Sequence, residues 1–67
     1  MFARYAVLVR DSLMGVHPIK YYKTYKSLTE YLDILDAFNR SGGDVKYNWM
    51  VYCYDSKLKN YVYIGGF

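Results

Sequence analysis

The sequence predicts an α+β domain of ββαββ order, with one helix packed across a four-stranded antiparallel sheet. Three observations predict it. One segment, Leu28 to Arg40, repeats apolar residues at helical spacing. Four segments rich in β-branched and aromatic residues flank it, two on each side. The connections within each flanking pair are short and carry turn-forming residues, as antiparallel neighbours allow. At 67 residues the chain is one compact domain, spanning 1–67.

The first strand is 3–10, ARYAVLVR, an apolar and β-branched run. Leu13 to Pro18 is a loop punctuated by Gly15 and Pro18. The second strand, 19–25, is IKYYKTY. Ser27 and Glu30 read as a capping box that opens the helix: the hydroxyl accepts from a first-turn amide and the carboxylate reaches back. Leu28, Tyr31, Leu32, Leu35 and Phe38 make the apolar stripe, while Glu30, Asp33 and Asp36 lie opposite. The acids near its start and Arg40 near its end suit the helix dipole, and Ser41-Gly42-Gly43 terminates it. The third strand is 45–54, VKYNWMVYCY; Asp55 to Lys59 is a hairpin connection; 60–64, NYVYI, returns. Gly65-Gly66-Phe67 reads as a loose tail whose Phe67 is free to dock into a groove.

Alternate strand residues point to opposite faces. Val45, Tyr47, Trp49, Val51 and Cys53 form the more apolar set of the third strand and should meet the helix. Val62 and Ile64 of the fourth strand, and Tyr5, Val7 and Val9 of the first, should join them. Lys20, Tyr22 and Thr24 of the second strand should face away. The outer face then carries Tyr22, Tyr52, Tyr54, Tyr61 and Tyr63 with Leu8 and Met50, ringed by Arg4, Arg10, Lys20, Lys46 and Lys59.

Several function classes find no support in these residues. Cys53 and His17 are the only cysteine and the only histidine, too few for a four-ligand zinc site, so no metal is expected. A single cysteine makes no intrachain disulfide, and no segment resembles a signal peptide; the expected compartment is the reducing cytoplasm. No stretch approaches the roughly 20 apolar residues of a membrane helix. Gly42-Gly43 lacks the spacing of a phosphate loop, and no cofactor motif appears. No nucleophile and base stand in a recognisable pattern, so a catalytic set is not expected and the chain reads as a non-enzyme.

What remains is a gripping surface. Ten of the 67 residues are tyrosine, and net charge is +3 with the cations gathered in the flanking segments and the acids in the middle. Rings supply contact area at low entropic cost, and Tyr, Arg and Met are enriched at interface cores. The leading expectation is a small binding protein that attaches to a larger host protein and modulates or inhibits it. Tyr22, Tyr52, Tyr54, Tyr61 and Tyr63 would be its anchors, and Arg4, Arg10 and Lys59 its charged rim. In size, single domain and lack of a catalytic motif, the chain resembles the small accessory proteins that bacteriophages encode to block host enzymes. That resemblance lies in general layout and assigns no residue a role. The alternative is a nucleic-acid-binding protein whose tyrosines stack on bases while Lys and Arg meet phosphates. Two further readings stand beside these: a homodimer closing over the face, and ordinary cross-strand packing of the rings. Glu30, Asp33 and Asp36 form a secondary acidic face, either solvated or a dock for a basic partner.

Overall fold

The computed structural model describes residues 3–66. It contains β1 (Tyr5–Asp11), β2 (Lys20–Tyr22), α1 (Tyr25–Arg40), β3 (Tyr47–Asp55) and β4 (Asn60–Gly66). The strands form one antiparallel sheet in the order β2-β1-β3-β4, with the helix across one face. The ββαββ two-layer architecture is therefore the one the sequence predicts.

The core lies between α1 and the two central strands. Val7 and Val9 of β1, Val51 of β3, and Leu28 and Leu35 of α1 are buried together. Val7 pairs with Val51 and Val9 with Trp49, so parity places both ladders' apolar members beneath the helix. Each fully buried aliphatic side chain contributes about 1.5–3 kcal/mol over its exposed state. Tyr5, Tyr22, Tyr31, Leu32, Tyr47 and Trp49 pack around this centre.

Several boundaries move. The helix is capped by Thr24, whose hydroxyl accepts from the Ser27 amide at 3.2 Å. Helix therefore begins three residues before the expected start, Ser27 lies inside it, and no acid stands in the first turn. Thr24 wins because it holds the extended backbone a cap requires, φ −123° and ψ 153°. At the other end, the Ser41 amide donates to the carbonyls of Ala37 and Phe38, and Gly42 follows at φ 80°, where glycine is favoured. The second strand shrinks to three residues. Gly65 and Gly66 belong to β4 rather than to a tail, and Phe67 lies outside the described residues.

The expected burial of Val62 and Ile64 is corrected as well: they are 38 % and 54 % exposed. Val51 pairs with Gly65 but Tyr52 pairs with Tyr63, so Ile64 is an extra, unpaired residue at a β-bulge. The helix packs on the other strands and leaves the β4 side open. Phe38, the last member of the predicted stripe, is 55 % exposed, although its ring still meets Tyr47 at 6.1 Å.

A candidate protein-binding face

The sheet surface away from the helix carries the tyrosines. The ladders align Ala6 with Tyr21 and Tyr52, Leu8 with Met50, Arg10 with Asn48, Tyr52 with Tyr63, and Tyr54 with Tyr61. Paired residues share a face, so all of these point away from α1. Among the described residues no second layer packs on this face. Tyr21, Tyr63 and neighbouring Ile19 are half or more exposed.

The rings organise one another. Tyr54 meets Tyr61 edge to face at 5.4 Å, and Tyr52 meets Tyr63 edge to face at 5.8 Å. Such pairs add about 0.5–1.5 kcal/mol beyond area burial. Tyr21 and Tyr61 also touch, centroids 6.1 Å apart, although β2 and β4 are the two edges of the sheet. Three strand spacings amount to about 14 Å. The side chains bridge that span because Ala6, between them, offers only a methyl group and is covered to 5 % exposure. The Tyr61 hydroxyl donates to the Ala3 carbonyl at 2.6 Å, pinning the entry to β1. Ala6, Leu8, Ile19, Tyr21, Tyr52 and Tyr61 thus enclose a shallow apolar hollow of about 240 Å³.

Of the predicted anchors, Tyr52, Tyr54, Tyr61 and Tyr63 lie on this face and Tyr22 does not. Tyr22 pairs with Tyr5 and stacks on Tyr31 of the helix at 5.7 Å, so it belongs to the core side. Burial, and then the charge of its neighbour, pushes the Tyr22 hydroxyl above the ordinary tyrosine range; Tyr31 shifts the same way for the same leading cause. Lys20 follows Tyr22 to that side, its ammonium 5.0 Å from the Tyr31 ring centre. Tyr21, which sequence reasoning missed, takes the outward position. Both alternating sets in Ile19 to Tyr22 contain an aromatic ring, so side-chain character alone does not set the phase of β2.

The predicted cations divide likewise. Arg10 is exposed on the outward set of β1. Arg4 is exposed where its carbonyl accepts from the Tyr54 amide at 2.8 Å, in line with that set. Lys59 is exposed in the β3–β4 turn at φ 54°, beside the Tyr54–Tyr61 end of the face. Lys46, by contrast, turns to the helix terminus and donates to the Asn39 carbonyl at 2.7 Å. Glu30 and Asp33 are exposed on α1, and Asp36 pairs with Arg40 at 2.9 Å, so the acidic surface lies on the helix, behind the sheet.

The structure also joins two residues that the sequence left apart. His17 Nε2 is 3.0 Å from Asp11 Oδ2, and the imidazole meets the Tyr47 ring edge-on. Asp11 Oδ1 accepts from the Leu13 and Gly15 amides at 2.9 and 2.8 Å. The Gly15 amide, with help from His17 and Leu13, holds the Asp11 carboxyl below its ordinary range although partial desolvation opposes this. This acid–imidazole pair closes the β1–β2 loop. The nearest hydroxyl in sequence, Ser12, accepts from the Lys46 amide at 3.0 Å and so serves the backbone. Among the described residues, no group of three or more His, Cys, Asp or Glu side chains is placed to hold a metal ion. Among them, too, no helix is long and apolar enough to cross a membrane.

Comparison with known proteins finds no matching family model, no matching curated protein and no matching solved structure.

Proposed function

We propose that this chain is a non-enzymatic binding protein that attaches to a larger protein through its tyrosine face and modulates or inhibits it. One observation carries the reading: a sheet face that no other described element packs on holds Tyr21, Tyr52, Tyr54, Tyr61 and Tyr63 around an apolar hollow, beside Leu8 and Met50. Contiguous aromatic surface of this kind is what partners cover. The rings are already fixed against one another, so little side-chain entropy is lost when they are buried. The specific form of the proposal is an inhibitor of the type bacteriophages direct at host enzymes, acting in the cytoplasm.

A stacking platform for single-stranded nucleic acid is the second reading. The ring geometry favours it less, because Tyr54–Tyr61 and Tyr52–Tyr63 engage each other edge to face at interplanar angles of 75° and 68°. Bases stack on free ring faces.

The test is capture of partners from cell lysate on the immobilised full chain, with and without nuclease, read by mass spectrometry. The double variant Tyr21→Ser/Tyr63→Ser is run beside it, since both rings are largely exposed. One stoichiometric protein should survive nuclease and bind the variant more than about tenfold more weakly, as loss of interface anchors does. Capture abolished by nuclease would transfer the face to nucleic acid. Capture indifferent to the double variant would remove the face from the account. Sedimentation across concentrations checks the homodimer, which a monomer throughout excludes.

A further inference from the structure

Resting on the reading of the tyrosine face as a protein-binding surface, we infer that its partner presents an acidic segment, with carboxylates on both sides of one apolar anchor side chain. The argument is the distribution of charge. Arg10 stands near the end of the outward row of β1 and Arg4 just before its start, opposite Tyr54, and neither forms an ion pair among the described residues. None of the six carboxylates occupies a paired outward position, and Asp44 is exposed in the loop before β3. Glu30, Asp33 and Asp36 ride on α1 behind the sheet. Asp11 is turned to His17, and Asp55 caps the hairpin by accepting from the Lys57 amide at 2.8 Å. An acidic segment laid along the outward row meets Arg4 and Arg10, which carry no ion pair among the described residues, and no carboxylate at a paired outward position, whereas a basic one is repelled by both.

Spacing refines the partner. Arg4 immediately precedes β1 and Arg10 lies within it, six residues on, a span of about 20 Å at strand rise. The hollow bordered by Ala6 and Leu8 lies midway between them. Its volume of about 240 Å³ falls below the roughly 300–1,000 Å³ of small-molecule sites, so it suits a single inserted side chain. An extended segment with a Leu, Phe or Trp in the hollow would reach the two arginines with acids about three residues before and after that anchor.

The experiment is selection of random dodecapeptides, displayed on yeast, against the full folded chain. Binding of the enriched peptides is then measured at low and high salt. Enriched sequences should carry Asp or Glu flanking one large apolar residue. Their affinity should fall about tenfold or more in Arg4→Glu/Arg10→Glu, the scale on which complementary charge alters association. Lys20→Glu/Lys26→Glu makes the same change in net charge on the helix side, away from the face, and should leave affinity within about twofold of the parent. Circular dichroism confirms that both charge variants fold. Uncharged or basic peptides that lose binding in Tyr21→Ser/Tyr63→Ser would overturn the acidic partner and leave the face standing. Acidic peptides whose binding ignores that tyrosine variant would overturn the face itself. No enrichment at all counts against the inference.

Discussion

Tyr61 and Tyr63 offer a matched pair in which one atom separates a structural role from a displayed one. Both lie on the outward set of β4, both contact another ring, and both carry a hydroxyl. Only Tyr61 spends that hydroxyl on the backbone, donating to the Ala3 carbonyl 58 positions away in sequence at 2.6 Å. Tyr61→Phe keeps the ring against Tyr54 and Tyr21 and removes just this bond. The net value of such a bond is about 0.5–1.5 kcal/mol. A domain of this size shifts its melting temperature by roughly 4–8 °C for each kcal/mol. Tyr61→Phe should therefore lower the midpoint by about 2–12 °C. Tyr63 is 56 % exposed, and Tyr63→Phe should stay within about 0.5 kcal/mol of the parent. The assay is urea unfolding followed by Trp49 fluorescence, paired with thermal circular dichroism. Equal effects of the two variants, or a larger one from Tyr63→Phe, would refute the assignment of Tyr61 as the clasp between β4 and the start of β1.

Three more outcomes are expected. Asn39 donates to the Tyr47 carbonyl at 2.8 Å and accepts from the Tyr47 amide at 2.7 Å, so Asn39→Ala should cost about 1–3 kcal/mol in urea unfolding; a change below about 0.5 kcal/mol would show that water replaces both bonds. Leu28→Ala empties a site that is 1 % exposed and should cost about 2–5 kcal/mol, comparable to the roughly 3–5 kcal/mol a core this small supplies; its far-ultraviolet circular dichroism should show a largely unfolded population at room temperature, and a fully folded spectrum would contradict the placement of Leu28 at the centre. Asp11 has its folded pKa lowered from 3.8, so its stabilising contribution is complete above that value and disappears as pH falls through the lower folded value; Asp11→Asn should flatten the acid limb of a stability-against-pH curve below about pH 4, and an unchanged limb would exclude the effect.

Element order was legible because it depends on local pattern. A helical stripe around Leu28 to Leu35, alternation in β3 and a polar hairpin at Asp55 to Lys59 each speak for themselves. Details set by distant partners were not legible. Tyr22 turns inward because Tyr5 and Tyr31 receive it, and Tyr21 turns outward toward Tyr61, a residue 40 positions on. Thr24 and Ser27 are both acceptable caps by type, and only backbone conformation chooses between them. The bulge at Ile64 had a trace in Gly65-Gly66, which read equally well as a tail. The Asn39–Tyr47 and Tyr61–Ala3 bonds carry no local signature. Tyr52, Tyr54, Tyr61 and Tyr63 were legible as members of one face because β3 alternates clearly and the short hairpin fixes β4 against it.

The uneven coverage of the sheet by α1 grades the molecule's internal cooperativity. Strands β1 and β3 hold neighbours on both edges and the helix above, while β4 has one neighbour and an open helix-side face. Transient opening of β4 sacrifices its ladder with β3 and the Tyr61–Ala3 bond but leaves Val7, Val9 and Leu28 packed. Backbone amides of β4 should therefore exchange with deuterium through sub-global fluctuations, whereas those of β1 should wait for global unfolding. A partner clamped on the tyrosine face bears on Tyr61 and Tyr63 of that loose strand, so binding should slow exchange most in β4, far more than in the strands that are already held.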